Sequence, residues 1–322
     1  MMWSLFALIL GFFLDLLVGD PHGFPHPVVL IGKMISGGEK LVRKIFPKTV
    51  LGEQIAGGVL WVLVVGLSFA IPALLLSLAY GVNQWLGFAL EALLCAQILA
   101  TKSLKEESMK VFAALKTGDL EASRYAVSMI VGRDVSRLDE AGVTRAAVET
   151  VAENTSDGIV APMLFLAIGG APLGFFYKAV NTMDSMLGYV EPPYKNIGLV
   201  GAKMDDVFNF VPARLSAVLM LAAGRILRLD VKNGWKIFKR DRFCHASPNS
   251  AQTESVCAGL LGLQLAGDAW YHGVLHKKPY IGDALRVIET QDIPRACRLL
   301  YVTAFLALLV FAGVKGLILI GG

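Results

Sequence analysis

The chain has 322 residues, of which 55% are hydrophobic and only 17% are charged, and its formal net charge is +4. Its mean hydropathy of +0.59 is typical of a polytopic membrane protein. Basic residues are not interleaved with aromatic ones, so nucleic acid is not an expected partner. The four cysteines show no C-x-x-C spacing and imply neither a zinc site nor a disulfide framework.

Apolar segments that could cross a bilayer occur from one end of the chain to the other. Ile55–Tyr80 and Leu299–Ile320 are the clearest, because the first has no charged residue and both exceed the roughly 20 residues needed. Three weaker candidates each contain one charged side chain, and these are Trp3–Gly19, Gln84–Ala100 and Val207–Gly224. We therefore predict an all-α, polytopic integral membrane protein that forms a single domain over residues 1–322, with the lipid bilayer as a partner.

Basic segments separate the apolar ones and indicate the orientation. Lys33–Lys48, Lys102–Arg145 and Arg225–Arg242 are each rich in lysine and arginine, which favours the cytoplasmic side. The first two basic segments lie on the same side of the membrane if Ile55–Tyr80 crosses outward and Gln84–Ala100 crosses back. The third agrees only if Val207–Gly224 lies in the interface instead of crossing fully. We therefore expect a multi-pass protein of the cell membrane whose active site faces the cytoplasm.

Near the N-terminus, the segment Asp20-Pro-His22-Gly-Phe-Pro-His26-Pro27 ends the first apolar run. Its prolines and glycine predict a tight, non-helical exit from the membrane. His22 and His26 could act as general bases or ligands. A structural turn is the simpler interpretation of His22, whereas structural and functional roles both remain open for Asp20 and His26.

A soluble, amphipathic segment follows the apolar run that ends at Ala100. Ser103-Leu-Lys-Glu106 has the form of a capping box, and Gly118 can close the helix that it begins. Asp119 can cap a second helix that runs to Gly132. No stretch shows strand-like alternation. We predict a helical layer on the cytoplasmic face of the membrane.

Three carboxylates recur every four residues in the helical pattern that follows, between Thr144 and Asp157. At about 100° per residue, Glu149, Glu153 and Asp157 share one side of the helix. We call this side the acidic face. Its position just before a long apolar run predicts that it lies close to the membrane.

That apolar run, Ile159–Phe176, is cut in half by Gly169-Gly170-Ala171-Pro172. Two glycines and a proline in succession stop a helix, so we predict a re-entrant helical hairpin that enters the membrane and returns. On the returning helix, Asn181, Asp184 and Ser185 share one side. The hairpin would bring them to the same side of the bilayer as the acidic face.

Asp205 and Asp206, with Asn209 one turn later, add a third acidic pair. Like charges gathered in apolar sequence are unfavourable unless a cation compensates them, and ionisable groups near membrane depth tend to be functional. Oxygen ligands without nearby cysteine or histidine suit Mg²⁺ better than Zn²⁺, and bound Mg²⁺ usually keeps sites for water and phosphates. The alternative is a set of structural ion pairs with Arg145, Lys178, Lys195, Lys203 and Arg214.

Polar residues from His245 to Glu254 interrupt the apolar sequence a last time. Ser247 followed by Pro248 predicts a helix start, with a capping side chain and then proline at the first helical position. The free N-terminus of that helix, beside Asn249, could bind an anion, and plain capping is the alternative. No phosphate-loop, dinucleotide-binding, esterase or zinc-protease motif occurs, so nucleotide chemistry would need a site of another kind.

Five segments, taken in order, carry a resemblance to a known family. They are LDLLVGDPHGFPHPVVLIGKMI (14–35), GRDVSRLDEAGVTRAAVETVAENTSDGIVAPMLF (132–165), GGAPLGFFYKAVNTMDSMLGY (169–189), KMDDVFNFVPARLSA (203–217) and HASPNSAQTESVCAGLLGLQL (245–265). They span most of the chain and are far more specific together than any single motif. On these segments the chain resembles the adenosylcobinamide-phosphate synthases of cobalamin biosynthesis (CbiB/CobD type).

The resemblance implies a membrane-embedded carbon–nitrogen ligase. Such an enzyme joins (R)-1-amino-2-propanol phosphate, or an ethanolamine-type phosphate, to the side-chain carboxylate of adenosylcobyric acid, with ATP as co-substrate. The carboxylate would be activated, most simply as an acyl phosphate, while Mg²⁺ neutralises phosphoryl charge. A buried carboxylate with a raised pKa could then deprotonate the incoming ammonium. Other corrinoid-pathway enzymes could be partners at the membrane.

We assign roles in that reaction to the candidate residues as hypotheses. The metal ligands would be Glu149, Glu153, Asp157, Asn181 and Asp184. The catalytic carboxylates would be Glu149, Glu153, Asp184, Asp205 and Asp206, the last two as a second cation contact or as the base. The phosphate partners would be Lys203, Arg214 and Arg133. Other substrate contacts would come from Asp20, His26, Asn154, Asn181, Ser185, Asn249 and Glu254.

Two other classes of function remain open. A metal-dependent phosphotransferase acting on a lipid-linked substrate would also need an acidic cluster at the membrane interface. A non-enzymatic membrane sensor of the same fold could lose the acids without losing the fold, and the full set of carboxylates argues against it.

Overall fold

The computed structural model describes residues 2–20, 26–189, 191–271 and 273–321, and most of these are helical. In chain order the helices are α1 (Met2–Val18), α2 (Pro27–Ile45), α3 (Val50–Val82), α4 (Gln84–Ala96), α5 (Thr101–Lys116), α6 (Leu120–Ser128), α7 (Glu140–Thr155), α8 (Ala161–Leu187), α9 (Leu199–Phe208), α10 (Phe210–Ile226), α11 (Val231–Asp241), α12 (Ser250–Leu261) and α13 (Asp292–Gly321). A π-helical segment, Ser156–Val160, joins α7 to α8. The predicted all-α class is confirmed.

Within the described residues, four helical stretches are long and apolar enough to cross a membrane, or five if α9 and α10 form one span together. The predicted spans Ile55–Tyr80 and Leu299–Ile320 lie inside α3 and α13. Trp3–Gly19 corresponds to α1, a shorter apolar helix. Val207–Gly224 is divided at Asn209, where α9 ends and α10 begins. The polytopic membrane architecture is thus confirmed.

The chain forms two compact units, each built from separate parts of the sequence. The first unit contains residues 1–100, 161–209 and 308–322, and the second contains residues 101–160 and 210–307. The assignment of residues 1–322 to a single domain stays a prediction.

Side-chain caps fix helix ends in the first unit. Thr49 begins α3, because its hydroxyl oxygen accepts the N–H of Gly52 at 3.1 Å. Asn83 both ends α3 and begins α4: its backbone N–H donates to the Ala79 carbonyl, and its side-chain oxygen accepts the N–H of Trp85 at 2.7 Å. Such caps satisfy backbone groups that the helix itself leaves unpaired.

The glycine pair inside α8 reverses the chain direction. Gly169 (φ −138°, ψ 24°) and Gly170 (φ 64°, ψ −163°) are not helical, and a Cβ atom at Gly170 would collide with the Glu91 carboxylate. The ring of Phe165 stacks on that of Tyr177 at 4.9 Å, whereas the same residues in a continuous helix would be about 18 Å apart. The break predicted at Gly169–Pro172 is confirmed. Whether both arms meet the same side of a bilayer stays a prediction.

In the second unit, the predicted helix boundaries are partly right. Gly118, at φ +74°, and the N-cap Asp119 separate α5 from α6 as predicted. The predicted start at Ser103 is wrong, because the chain enters α5 already at Thr101 and Ser103 lies in its first turn. The predicted extension to Gly132 is also wrong, since α6 gives way to turns and bends before that residue.

Four short strands of the second unit were not predicted from the sequence. They are β1 (Leu265–Ala266), β2 (Ala269–Tyr271), β3 (Val274–His276) and β4 (Tyr280–Ile281). They form two antiparallel pairs, β1 with β4 and β2 with β3. Each strand is too short for a two-residue alternation to be visible in the sequence.

Candidate active site

A cavity of about 160 Å³ lies in the second unit, bordered by α7, α12 and the first strands. Carboxylates, cations, an imidazole and a phenol share its wall. The lining residues are Ile130, Val131, Gly132, Arg133, Glu149, Thr150, Glu153, Asn154, His245, Glu254, Ala266, Gly267, Tyr271 and Lys278. Five of the residues predicted from the sequence therefore meet here, namely Arg133, Glu149, Glu153, Asn154 and Glu254.

Glu149 is a paired carboxylate in this cavity. One of its oxygens accepts a hydrogen bond from the Arg133 guanidinium, and the other accepts the backbone N–H of Ala266 at 2.6 Å. Ala266 holds its N–H there in a left-handed conformation, φ +58°, that non-glycine residues rarely adopt. The neighbouring Gly267 has φ +87°, and a Cβ atom there would collide with the Tyr280 ring. The left-handed backbone at Ala266 thus places its N–H where it can donate to the buried Glu149 carboxylate.

Glu153 and Asn154 follow one turn later on α7 and line the same wall. The Asn154 amide donates to the Thr150 carbonyl at 3.0 Å, which leaves its side-chain oxygen as an acceptor. Asp157, the third member of the acidic face, does not line the cavity. It lies in the π-helical segment, where the wider turn departs from the regular 100° step that the prediction assumed.

Glu254 is a buried acid of the site with an unsatisfied oxygen. Its residue is only 5% exposed, and its Oε2 atom has no hydrogen-bond partner among the described residues. Burial raises the pKa of Glu254 well above the usual range, and the nearby charges of Glu153 and Glu149 raise it further. Burial and these two charges therefore favour the neutral, protonated form of Glu254.

His245 faces the same cavity in its neutral form. Burial lowers its pKa, although the charges of Glu153 and Glu149 act in the opposite direction. Its Nδ1 atom accepts the backbone N–H of Ser247 at 3.1 Å, so the ring proton resides on Nε2. The imidazole can therefore donate one hydrogen bond from Nε2.

Lys278 supplies a second cation to the cavity. Its ammonium donates to the Tyr271 hydroxyl at 2.8 Å and lies 4.7 Å from the centre of that ring. Neither residue was predicted as part of the site, and nor was His245. Lys278 and Tyr271 lie in the divergent C-terminal part of the chain, where no motif marks them. For His245, the only signal in the sequence was its place at the start of the polar segment 245–254.

The helix that carries Glu254 begins later than predicted. Its first residue is Ser250, its N-cap Asn249 makes no side-chain capping bond, and Ser247 is not the cap. Instead, the Ser247 hydroxyl accepts the N–H of Asn249 at 3.3 Å and holds a turn before the helix. The predicted Ser247–Pro248 start is therefore wrong. The side-chain oxygen of Asn249 accepts a hydrogen bond from Arg214 at 3.2 Å.

Other predicted residues belong to the first unit. Both carboxylate oxygens of Asp205 accept from the amide of Asn209 at 2.9 Å, and the Asn209 oxygen accepts the Tyr177 hydroxyl at 2.7 Å. The Asn181 amide reaches Asp205 at 3.4 Å. Lys203 lies 3.8 Å from Asp206. Asp184 and Ser185 stand on α8, and the Ser185 hydroxyl donates to the Asn181 carbonyl at 2.9 Å.

At the N-terminus, His26 caps α2 and lies 3.1 Å from Asp20. His22 falls outside the described residues. Among those that are described, no group of three or more His, Cys, Asp or Glu side chains is arranged to hold a metal ion. The predicted metal ligands are thus divided, with Glu149 and Glu153 in the cavity and Asn181 and Asp184 in the first unit.

Comparison with known proteins gives a consistent result. Residues 8–300 match the family described as CobD/Cbib protein. The cobalamin biosynthesis protein CobD of Clostridium perfringens is 47% identical over 303 residues, which cover 94% of this chain and 95% of that protein. The CobD protein of Klebsiella pneumoniae is 46% identical over 316 residues, or 97% and 98% of the two chains. The CbiB protein of Salmonella typhi is 44% identical over 315 residues, again 97% and 98%.

No solved structure matches the chain. The family match and the relatives nevertheless cover almost its whole length, including every residue of the cavity wall. The chain therefore belongs to the CobD/CbiB family.

Proposed function

We propose that this protein is an adenosylcobinamide-phosphate synthase of cobalamin biosynthesis. It joins the amino group of (R)-1-amino-2-propanol phosphate, or of an ethanolamine-type phosphate, to a side-chain carboxylate of adenosylcobyric acid. The reaction uses ATP and Mg²⁺ and takes place at the cell membrane. The cobalamin biosynthesis names of the relatives support the pathway. The observation that carries the chemistry is the buried carboxyl group of Glu254, whose Oε2 atom has no hydrogen-bond partner among the described residues.

Amide formation needs a base, because the amine arrives as an ammonium ion. The positive ammonium favours the ionised form of Glu254, and the raised pKa of this group makes it a strong acceptor for the proton once it is ionised. Glu149 is less suited to the role, since both of its oxygens already accept hydrogen bonds. Glu254 is therefore the proposed general base.

A carboxylate oxygen of the corrinoid attacks the terminal phosphorus of ATP, and the bond to ADP breaks. Glu254 takes one proton from the ammonium, and the free amine nitrogen attacks the acyl carbon. The carbon–oxygen bond to phosphate then breaks, and the departing phosphate takes the second proton from the nitrogen and leaves as inorganic phosphate. His245, which holds its proton on Nε2, donates a hydrogen bond toward the oxyanion that forms on the acyl carbon.

The size of the cavity limits what can enter it. A space of about 160 Å³ is smaller than the 300–1,000 Å³ of pockets that enclose drug-sized ligands, so it admits the reacting ends of the two substrates and not the corrin ring.

Mg²⁺ fits a smaller set of ligands than the sequence predicted. Glu149 is occupied by Arg133 and Ala266, whereas Glu153 and Asn154 offer an anionic and a neutral oxygen on adjacent residues. Such a pair suits an ion that shares its other positions with water and phosphate. When bound, Mg²⁺ would neutralise charge on the transferred phosphoryl group. Arg133 and Lys278 add positive charge on the same wall.

The proposal is tested with purified protein in detergent or lipid nanodiscs, given adenosylcobyric acid, the phosphorylated amine, Mg²⁺ and ATP labelled with ³²P at its terminal phosphate. Mass spectrometry should find the amide product, and the label should appear only in inorganic phosphate. Label in the corrinoid product would indicate a phosphotransferase instead. Absence of any product from a folded protein would contradict the enzymatic function altogether.

A further inference from the structure

A basic cluster lies at the start of α12, outside the wall of the acidic cavity. The Arg214 guanidinium donates to the Asn249 side chain at 3.2 Å and to the Phe210 carbonyl at 2.7 Å, and it lies 3.5 Å from the centre of the Phe210 ring. Asn249 is only 4% exposed and directly precedes the first residue of α12. Arg214 is thus held in one orientation beside the helix N-terminus.

Arg242 is the second member of the cluster and was not predicted as part of any site. Its guanidinium packs against the rings of Phe238 and Phe243, at 5.3 and 4.7 Å from their centres. Its Nε atom is buried and has no hydrogen-bond acceptor among the described residues. The backbone carbonyl of Arg242 accepts the amide of Gln252, which ties this residue to the first turn of α12.

Both arginines contact residues at the start of α12, Arg214 through the side chain of Asn249 and Arg242 through the amide of Gln252. Within the part of the chain that the structure describes, no carboxylate forms an ion pair with either of them. Two positive guanidinium groups beside a buried N–H group that lacks an acceptor are unfavourable unless an anion binds there. Arginine side chains and helix N-terminal N–H groups together are a common way to bind phosphate.

The spacing along α12 from its N-terminus to Glu254 suits the amine substrate. Glu254 follows Ser250 by four residues on α12, so their side chains are neighbours at about 5–6 Å, and helical side chains lean toward the N-terminus. The ammonium and the phosphorus of the amine are joined through two carbons and an ester oxygen, a span of about 5 Å, close to one helical turn. One end can reach Glu254 while the other lies at the N-terminus.

We propose that Arg242 and Arg214 bind the phosphate of the amine substrate while Glu254 receives its ammonium. This inference rests on the proposed function and names the residues that select a phosphorylated amine. It favours this cluster over Lys203, whose side chain is 73% exposed and pairs with Asp206. It also favours it over Arg133, which is engaged by Glu149.

The test compares three variants of the full-length protein. Arg242→Gln removes the proposed phosphate ligand, Lys203→Gln removes the competing one, and Arg225→Gln is a matched control that deletes one exposed arginine of the same unit. KM and kcat are measured for the phosphorylated amine, for the same amine without phosphate, and for ATP. Size-exclusion chromatography and thermal unfolding confirm that each variant is folded.

The inference predicts that Arg242→Gln raises KM for the phosphorylated amine by about 10- to 100-fold with little change in kcat, as expected for loss of a charged hydrogen bond that acts equally in ground and transition states. KM for the unphosphorylated amine and for ATP should match the Arg225→Gln control. Inorganic phosphate should inhibit wild type competitively against the amine and lose this effect in Arg242→Gln.

Three results would overturn the inference: an unchanged preference for the phosphorylated amine, a rise in the KM for ATP instead, or the predicted effect in Lys203→Gln and not in Arg242→Gln. Each is distinct from failure of the proposed function, in which wild type itself would form no amide. If Arg242→Gln does not fold, Arg242→Lys replaces it, with a smaller rise in KM expected because lysine lacks the planar fork of donors.

Discussion

Two buried acids, Asp205 in the first unit and Glu254 in the second, show how differently a carboxylate can be used in apolar surroundings. Asp205 accepts two hydrogen bonds from Asn209, which in turn accepts one from Tyr177. Glu254 has an oxygen without a partner among the described residues and lines a cavity. The first arrangement is complete within the protein, whereas the second leaves one carboxyl oxygen unpaired among the described residues.

The comparison separates a structural from a chemical role for residues of the same type. A buried polar group with all of its hydrogen bonds made contributes to stability, and its removal leaves its partners unsatisfied. A buried acid with an unmet oxygen and a raised pKa contributes little to stability, and it is a strong proton acceptor whenever it is ionised. The predictions below follow from that difference.

The largest effect is expected from Glu254→Gln. The variant keeps the volume and removes the base, so kcat should fall by at least about 100-fold, in line with the loss of general base catalysis. Thermal unfolding should change little, because the amide needs no ionised form in the buried site. Glu121→Gln is the matched control, since the side chain of Glu121 is 81% exposed in the same unit. A Glu254→Gln variant that turns over as fast as Glu121→Gln would contradict the proposed role of Glu254 as the general base.

Asp205→Ala should show the reverse behaviour. It leaves the Asn209 amide without its acceptor in a buried position, and the free energy of unfolding should fall by about 3 kcal/mol. Turnover per folded molecule should change by less than about tenfold. Denaturation in detergent, together with activity normalised to folded protein, checks both. A loss of kcat as large as that of Glu254→Gln would support instead the catalytic role that the sequence predicted for Asp205.

A somewhat smaller loss of stability is expected from breaking the Arg133–Glu149 pair. The two side chains are 15% and 11% exposed, so Arg133→Met leaves a mostly buried carboxylate with one remaining partner, the Ala266 N–H. We expect about 2 kcal/mol of destabilisation, part of which the double variant Arg133→Met/Glu149→Gln should recover. Unfolding of the two single variants and the double variant gives the coupling energy. Additive losses would mean that the pair is not coupled.

The smallest effect is a pH dependence of stability. Because the pKa of Glu254 is raised on folding, the folded state binds more protons than the unfolded state above the usual glutamate pKa of about 4.3. Wild type should therefore lose stability relative to Glu254→Gln as pH rises from this value through the folded pKa, by at most about 1.4 kcal/mol per pH unit. Unfolding measured at several pH values checks the sign. A difference that grows in favour of wild type would contradict the raised pKa.

Much of the fold follows from local sequence signals. The long apolar helices, the Asp119 cap and the glycine break in α8 all depend on residues close together in the chain, and each was predicted. The boundaries that failed, at Ser103 and Ser247, carry plausible caps that the chain does not use, because the surrounding turns decide where the helix starts. Strands of two or three residues leave no pattern to find.

Only part of the candidate site could be predicted from the sequence. Periodicity correctly suggested that Glu149 and Glu153 face the same space, since both lie on one helix. It could not show that Glu254, Lys278 and the Ala266 N–H come to the same cavity from more than 100 residues away. Nor could spacing reveal that Arg133 and Ala266 satisfy Glu149, whereas the Glu254 Oε2 atom has no partner among the described residues.

The most direct test of the account is the pH dependence of kcat for wild type and Glu254→Gln at saturating substrates. If Glu254 is the base that deprotonates the ammonium, wild-type kcat should rise with pH through an apparent pKa above that of an ordinary glutamate and then level off. The Glu254→Gln variant should remain slow and lack this rise. A variant that turns over near the wild-type rate with the same pH dependence would contradict the central claim.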